Sequence, residues 1–554
     1  MMMVRLLMLS LVIISSTSMA NNTVEQKAVD AVFAKWDNQV SPGAAVGIFK
    51  DGKIVYARGY GMANLEYDLP NNENSVFRIG STSKQFTAAC IVMLSEQGKL
   101  SLDDRLGAFF SDLPDHMKSI TVKQLLHHTS GVRDYLMLSY LKGLGDEDYY
   151  TDDDVIKWLS AQKALNFKPG DEHLYSNSGY WLLGQIVKQV AGMDMATYAE
   201  KALFKPLGMK NTHFHNNHKQ VVKNRASGYA PSSEEGVYEI SMTKLDMIGD
   251  GGIFTTINDI KIWDDAYYQS KVLPASFWKT MTEVGVLNSG EALDYAAGLL
   301  IGEYKGLKTV SHGGAFVGFR AELLRFPEHK FSVAVFANRS DANPTKMAYQ
   351  VADIYLAQAF KPVKENDKKS TQANTEQKLT HQQIVGQYEV ETGIVLDITD
   401  VDGQLHGFQM WNQKEYDLVA VSDNSNTYHI DGDDAIKFTF TEVKDNQSQL
   451  MTVSQAGGDS LWKRVKAVDV STVDINDFVG NYYSEELYVN YQLSVSGGKI
   501  YLKVANNTPI LVSVAAPDTL TLRSMLANFY RQDGQVKGFH LDAGRVKNIE
   551  FVKK

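Results

Sequence analysis

Ser81-Thr82-Ser83-Lys84 stands where the turn Ile79-Gly80 runs into a helical pattern. A serine at a helix start holds its hydroxyl among backbone N–H groups that favour developing negative charge. A lysine three residues on returns to the same face one turn later. A buried lysine whose charged form is disfavoured takes the serine proton and turns the hydroxyl into a nucleophile. The spacing alone is not distinctive, because S-x-x-K also begins at Ser139, Ser160, Ser241, Ser276, Ser460 and Ser496. A second string is Tyr175-Ser176-Asn177, where a tyrosine close to a lysine serves as general base and then returns the proton to a leaving group. Asn177 would hold both the lysine and a substrate amide. Y-x-N also occurs at Tyr488-Val489-Asn490. The third string is His312-Gly313-Gly314, followed by Ala315. Glycines beside a strand let a ligand approach the backbone, and the N–H after them can donate to an oxyanion. Taken singly, each string has a plainer explanation in surface polarity, a loop tyrosine or a glycine turn.

These residues need a scaffold. Ala44–Phe49 and Ile54–Tyr60 read as strands joined by the hairpin signal Asp51-Gly52. Thr82–Gln97 has helical periodicity, as do Trp181–Val190 and Met195–Phe204, and Asp152-Asp153-Asp154 marks a further helix start. Strands return at Phe319–Phe326 and Phe331–Ala337, turning at Pro327-Glu328-His329. One sheet built from both ends of a domain, with a helical region inserted between, accounts for this order. Residues 361–383 are polar and charged and read as a linker. Beyond them the chain repeats. Ile384-Val385-Gly386-Gln387-Tyr388 aligns with Phe478-Val479-Gly480-Asn481-Tyr482, Asp402-Gly403 with Ser496-Gly497, and Leu418 and Ala420 with Val512 and Val514. One shared offset implies a duplicated module, and short alternating strands at that length imply small β-barrels.

In this order the three strings resemble the serine β-lactamase and penicillin-binding-protein superfamily, in its class C-like branch. Leu125-Leu126-His127-His128-Thr129-Ser130-Gly131, Phe204–Met209 (FKPLGM) and Gly251-Gly252-Ile253-Phe254-Thr255-Thr256 match further segments of that family. The resemblance covers residues 25–360. It implies an α+β fold: a β-lactamase-like catalytic domain, with an antiparallel sheet and an inserted helical region, followed by two small all-β, lipocalin-like barrels. The expected divisions are 21–360 for catalysis, 361–383 for the linker, and 384–470 and 471–554 for the modules.

The resemblance also implies roles. Ser81 would be the acylated nucleophile, Lys84 its proton partner and Tyr175 the second acid and base. Asn177, His312, Gly313 and Gly314 would bind substrate, and the N–H groups of Ser81 and Ala315 would form the oxyanion hole. The acyl-enzyme chemistry calls for no metal or organic cofactor. The third motif departs from the family's usual Lys-Thr-Gly. His312 replaces a lysine and Gly313 a threonine, and an imidazole with a pKa of about 6.5 is mostly neutral at pH 7. That weakens any clamp on a substrate carboxylate, and the His-x-Gly form is similar to D-aminopeptidases, D-amino-acid amidases and esterases of the family.

The full length is 554 residues with a net charge of −10, which argues against a nucleic-acid partner. The single cysteine, Cys90, excludes an intrachain disulfide framework and reads as a buried apolar residue. Residues 1–20 carry Arg5, an apolar run Leu6–Ile14 and the small pair Ser18 and Ala20 around Met19, the pattern of a secretory signal peptide. A secreted or periplasmic protein with no membrane span after signal removal is therefore expected. His213, His215 and His218 read as a solvated run and not as metal ligands. Trp411 and Trp462 read as barrel core. The expectation is an exported serine hydrolase cleaving amide or peptide bonds, D-residue-containing ones foremost. A carboxylesterase, a β-lactamase or D,D-carboxypeptidase, and a non-enzymatic penicillin- or peptidoglycan-binding protein are the alternatives. Its partner is a small peptide, amide or ester, and a homodimer is among the assemblies the reading allows.

Overall fold

The computed structural model describes residues 24–361, 378–391, 394–410, 414–422, 425–455, 458–466, 472–522 and 525–554. The expected signal peptide, most of the expected linker and Trp411 lie outside the described residues. Among the described residues, no helix is long and apolar enough to cross a membrane.

The chain forms two compact units. The first is built on a six-stranded antiparallel sheet in the order Leu300–Tyr304, Leu307–Phe316, Phe319–Phe326, Phe331–Ala337, Ala44–Lys50, Lys53–Tyr60. The N-terminal hairpin thus pairs with the last strand, Ala44 opposite Ala337 and Lys50 opposite Phe331. Asp51 and Gly52 both adopt positive φ (50° and 73°), the geometry a two-residue hairpin needs to match strand twist. Ala44–Lys50 and Phe331–Ala337 are buried along almost their whole length because helices cover both faces. Helix Pro344–Leu356 packs on one face, placing Met347, Ala348, Val351 and Ala352 against Val46, Ile48, Val333 and Val335. Helix Ile257–Tyr268, capped by the Thr256 hydroxyl, contacts the same two strands.

Helix Lys84–Glu96 is buried along most of its length, and Cys90 lies fully buried within it. Burial pushes the Cys90 thiol up to about 12, so the group is a packing residue. Ser81 precedes the α-helix proper, in the 3₁₀ turn Gly80–Ser83. His312-Gly313-Gly314 lies inside the ten-residue strand Leu307–Phe316, so the two glycines are part of an extended segment and not a turn. Helix Asn177–Ala191 begins earlier than its apolar periodicity suggests, which puts Tyr175 and Asn177 at its entrance.

The second unit contains two closed antiparallel barrels, from Gly386–Glu391 to Gly458–Val465 and from Gly480–Ser484 to Val546–Lys553. The repeat has a physical basis at each first strand. The Tyr388 hydroxyl donates to the Ile384 carbonyl at 2.7 Å, and the Tyr482 hydroxyl donates to the Phe478 carbonyl at 2.7 Å. A cation from the closing strand covers each ring, Arg464 over Tyr388 and Lys553 over Tyr482. Glycine suits the position two residues before each tyrosine, because Gly386 and Gly480 take φ of 144° and 156°, which residues with a Cβ rarely adopt. The hairpin match slips by one residue, since Asp402-Gly403 closes one turn while Gly497-Gly498, not Ser496-Gly497, closes the other. Trp462 packs in the core of the first barrel.

Two segments from before the linker, Arg133–Gly145 and Lys157–Asn166, belong to this second unit. Arg133 is buried and ion-pairs with buried Glu486, while also donating to Gln162 Oε1 and to the carbonyls of Lys547 and Asn548. The Tyr491 hydroxyl donates to the Leu141 carbonyl, and Asn507 to the Gly143 carbonyl.

Candidate active site

Helix Lys84–Glu96 delivers Lys84, fully buried, to a point where three elements meet. Its Nζ lies 3.2 Å from Ser81 Oγ, 2.8 Å from Asn177 Oδ1 and 2.6 Å from the Asp250 carbonyl oxygen. An ammonium has three N–H donors, and these three oxygens surround it. The carbonyl of Asp250 is aimed inward by a loop whose glycines, Gly249 and Gly252, take positive φ of 112° and 94°. Thr87, one turn along the helix, anchors that loop by donating to the Gly249 carbonyl at 2.6 Å.

Lys84 Nζ also stands 4.7 Å from the centre of the Tyr175 ring and 5.6 Å from that of Tyr180, within cation–π range. His128 holds this aromatic wall in place. It adopts φ 56°, its Nδ1 accepts from the Ser176 N–H at 3.1 Å, and its ring packs 4.1 Å from that of Tyr175. The Tyr180 hydroxyl donates to the Leu126 carbonyl, tying helix Asn177–Ala191 to the Leu125–Gly131 segment. Burial holds the Tyr180 and Tyr295 phenols far above their ordinary range, so both are neutral donors at pH 7.

Strand Leu307–Phe316 forms the opposite wall. Its ladder with Leu300–Tyr304 ends at Ser311, so His312–Phe316 extends past that neighbour. The turn holding Ser81 packs on this stretch, and the Thr82 hydroxyl donates to the His312 carbonyl at 3.1 Å. The approach requires glycines. A Cβ on Gly314 would fall 2.0 Å from the Ile79 carbonyl oxygen, and Gly80, at φ 51°, could carry one only 2.9 Å from the Ala315 nitrogen. Gly80, the residue before Ser81, is thereby brought against Ala315 of the strand.

His312 is buried, with Nδ1 2.6 Å from the Gly313 carbonyl and Nε2 2.9 Å from the Tyr295 hydroxyl. Burial, aided by the charge of Lys84, pulls its pKa down to about 4. The imidazole is neutral at pH 7. Gly313 faces the other side of the sheet, where a Cβ would meet the carboxylate of Glu322 at 3.2 Å. Glu322 accepts from the Thr345 hydroxyl at 2.6 Å, and burial raises its pKa to about 7.

Of the residues expected from the sequence in this first unit, Ser81, Lys84, Tyr175, Asn177, His312, Gly314 and Ala315 gather around one centre, whereas Gly313, expected to bind substrate, turns to the opposite face of the sheet because side-chain direction alternates along the strand. His213 and His215 are 3.2 Å apart beside Phe254, and His218 turns away to pair with Asp246. Sequence reasoning missed Tyr295, the Asp250 carbonyl and Glu322. No spacing signal marks a lone tyrosine, and a backbone carbonyl carries no residue type to read.

A sequence profile of the Beta-lactamase family matches residues 28–356. A D-aminopeptidase of Gluconobacter oxydans (strain 621H) is 27% identical over 379 residues, 68% of this chain and 68% of that protein. A D-aminopeptidase of Brucella anthropi is 24% identical over 469 residues, 84% of this chain and 83% of that protein. Among solved structures, the octameric penicillin-binding protein homologue from Pyrococcus abyssi superposes with a TM-score of 0.56 at 24% identity, covering 80% of this chain and 99% of that one, a likeness of fold.

Proposed function

Since the chain belongs to the beta-lactamase family, and is a serine hydrolase, we propose that it cleaves amide bonds of small D-amino-acid substrates through an acyl-enzyme on Ser81. The observation that carries this reading is Lys84 Nζ in reach of Ser81 Oγ, Asn177 Oδ1 and the Asp250 carbonyl together. Acylation requires the Lys84 ammonium to shed one proton first; the Ser81 proton then passes to the neutral Nζ as Oγ adds to the substrate carbonyl. The oxyanion forms between the N–H groups of Ser81 and Ala315. Tyr175 is the group we assign to protonating the leaving nitrogen as the C–N bond breaks, and to activating the water that hydrolyses the ester. Asn177 holds Lys84 and the substrate amide.

The relatives named D-aminopeptidase support the D-amino-acid preference. Neutral His312 supports substrates that lack a carboxylate at that point, and so fits uncharged esters as a second class. Export through residues 1–20 is part of the same proposal and rests on their composition. Self-association has the octameric relative as its support and is read by light scattering. The test is turnover by the chain lacking residues 1–20 on D-alanyl p-nitroanilide, L-alanyl p-nitroanilide, p-nitrophenyl acetate and nitrocefin. Preference for the D-anilide is expected. Turnover confined to the acetate ester would replace this reading with the carboxylesterase, and efficient nitrocefin hydrolysis with the β-lactamase.

A further inference from the structure

We propose that Tyr295 is a specificity-determining residue, closing the His312 position to substrates that carry a carboxylate on the leaving side of the scissile bond. The inference rests on the proposed function only in taking His312 to line the substrate site.

The proton positions follow from chemistry. A carbonyl oxygen only accepts, so His312 Nδ1, 2.6 Å from the Gly313 carbonyl, bears hydrogen. In the neutral ring the lone pair is then on Nε2, and the Tyr295 hydroxyl at 2.9 Å donates to it. Both nitrogens are spent on the protein. The competing arrangement is an imidazolium that donates from Nε2 to the Tyr295 oxygen. Burial opposes it, and so does the charge of Lys84 on the neighbouring helix. The other titratable groups facing the ring are phenols, Tyr295 itself and Tyr175, whose ring centre is 6.4 Å away.

Tyr295 cannot readily swing aside. It is 2% exposed, and its ring packs 4.7 Å from His128, 5.9 Å from His173 and 6.1 Å from Tyr175. Its own carbonyl accepts from the Gly285 N–H. A carboxylate arriving here would lose water and find an imidazole with no N–H to offer, whereas a carboxamide or ester brings no charge to desolvate. The substrate class selected is therefore an acyl amide, peptide amide or ester with an uncharged leaving group.

D-Alanyl-D-alanine amide and D-alanyl-D-alanine share the scissile bond and differ at the carboxylate. The wild type is expected to favour the amide by about 100-fold or more in kcat/KM. Tyr295→Phe frees Nε2 to take a proton and then a carboxylate, so the amide-to-acid ratio should fall about tenfold, and further at pH 5.5 than at pH 8. Loss of fold alone lowers both substrates together and leaves the ratio fixed, so an unchanged ratio at both pH values overturns the proposal. Should Tyr295→Phe fail to fold, His312→Lys restores a cation at the same place, and a ratio unchanged in that variant overturns the proposal equally. Absence of Ser81-dependent amide turnover would instead defeat the proposed function. Tyr295 is then tested by the relative rates at which benzylpenicillin and its methyl ester acylate Ser81, read by intact mass. A shift toward the free acid in Tyr295→Phe supports the proposal, and no shift overturns it.

Discussion

Asn177 Oδ1 lies 2.8 Å from Lys84 Nζ, although the two residues are 93 positions apart in the chain. The contact joins the entrance of one helix to the first turn of another. It fixes the lysine over Ser81 Oγ, and the Asp250 carbonyl braces it from the far side. Replacing Lys84 with Met keeps the bulk and removes the proton acceptor, so acylation should slow by about 100- to 10,000-fold. The measurement is the single-turnover rate of Ser81 modification. A wild-type rate in Lys84→Met would remove Lys84 from the proton path.

Gly314→Ala should be far more damaging than its size suggests. The new Cβ would lie 2.0 Å from the Ile79 carbonyl oxygen and 2.8 Å from Thr82 Oγ1, so the strand bearing Ala315 must move away from Ser81. A displacement of about 1 Å at a reacting centre costs about 100-fold. At Gly313 the nearest atom to the added Cβ would be a Glu322 carboxylate oxygen at 3.2 Å, a much milder approach, and the loss should be smaller. Steady-state kcat/KM of the two alanine variants checks the order, and equal values would contradict it.

Glu322 makes stability depend on pH. Its folded-state pKa is raised from 4.5 to about 7 by burial, and its Oε1 has no hydrogen-bond partner among the described residues. Between those values the unfolded chain ionises this group while the folded chain keeps it protonated. Stability is therefore highest below pH 4.5, falls as pH rises toward 7, and is flat in this respect above. The difference amounts to about 3 kcal/mol. Glu322→Gln removes the titration, so urea unfolding at pH 4.5 and pH 8 should show the variant gaining on the wild type by about that amount. Parallel pH profiles would contradict the assignment.

Arg133 and Glu486 form a buried pair within the second unit, with side chains 1% and 3% exposed. Removing one partner strands the other charge away from water, and Arg133→Ala should cost about 3–5 kcal/mol. Exchanging both for apolar residues, Arg133→Met with Glu486→Leu, should recover much of the loss. Denaturant titration followed by intrinsic fluorescence measures both. A loss below about 1 kcal/mol in Arg133→Ala would contradict the burial.

Much of this was legible before the fold. Two hairpins of the sheet carry their own turn signals, Asp51-Gly52 and Pro327-Glu328-His329, and the repeat around Tyr388 and Tyr482 keeps the residues that each barrel uses at its first strand. Ser81, Lys84, Tyr175, Asn177 and His312 were readable as candidates because residue types capable of chemistry stand there in a recognisable order. What stayed hidden acts through partners far away in sequence. Tyr295 matters because it reaches His312, Asp250 because its carbonyl points inward, and Glu322 because Gly313 leaves room for it across the sheet. Helix periodicity likewise missed the start at Asn177, since the first residues of that helix are buried for the site and not for the amphipathic face. Nor does any motif announce that Arg133–Gly145 and Lys157–Asn166 pack with the second barrel, since buried polar ties such as Arg133–Glu486 have no sequence period.

The central claim is that one hydroxyl, on Ser81, carries the acyl group. The chain lacking residues 1–20 is incubated with a fluorophosphonate probe, digested and mapped by mass spectrometry, alongside Ser81→Ala, with D-alanyl p-nitroanilide turnover followed in parallel. A single adduct on the Ser81 peptide, lost together with turnover in Ser81→Ala, is the predicted result. Turnover retained by Ser81→Ala, or an adduct on another serine, would contradict it.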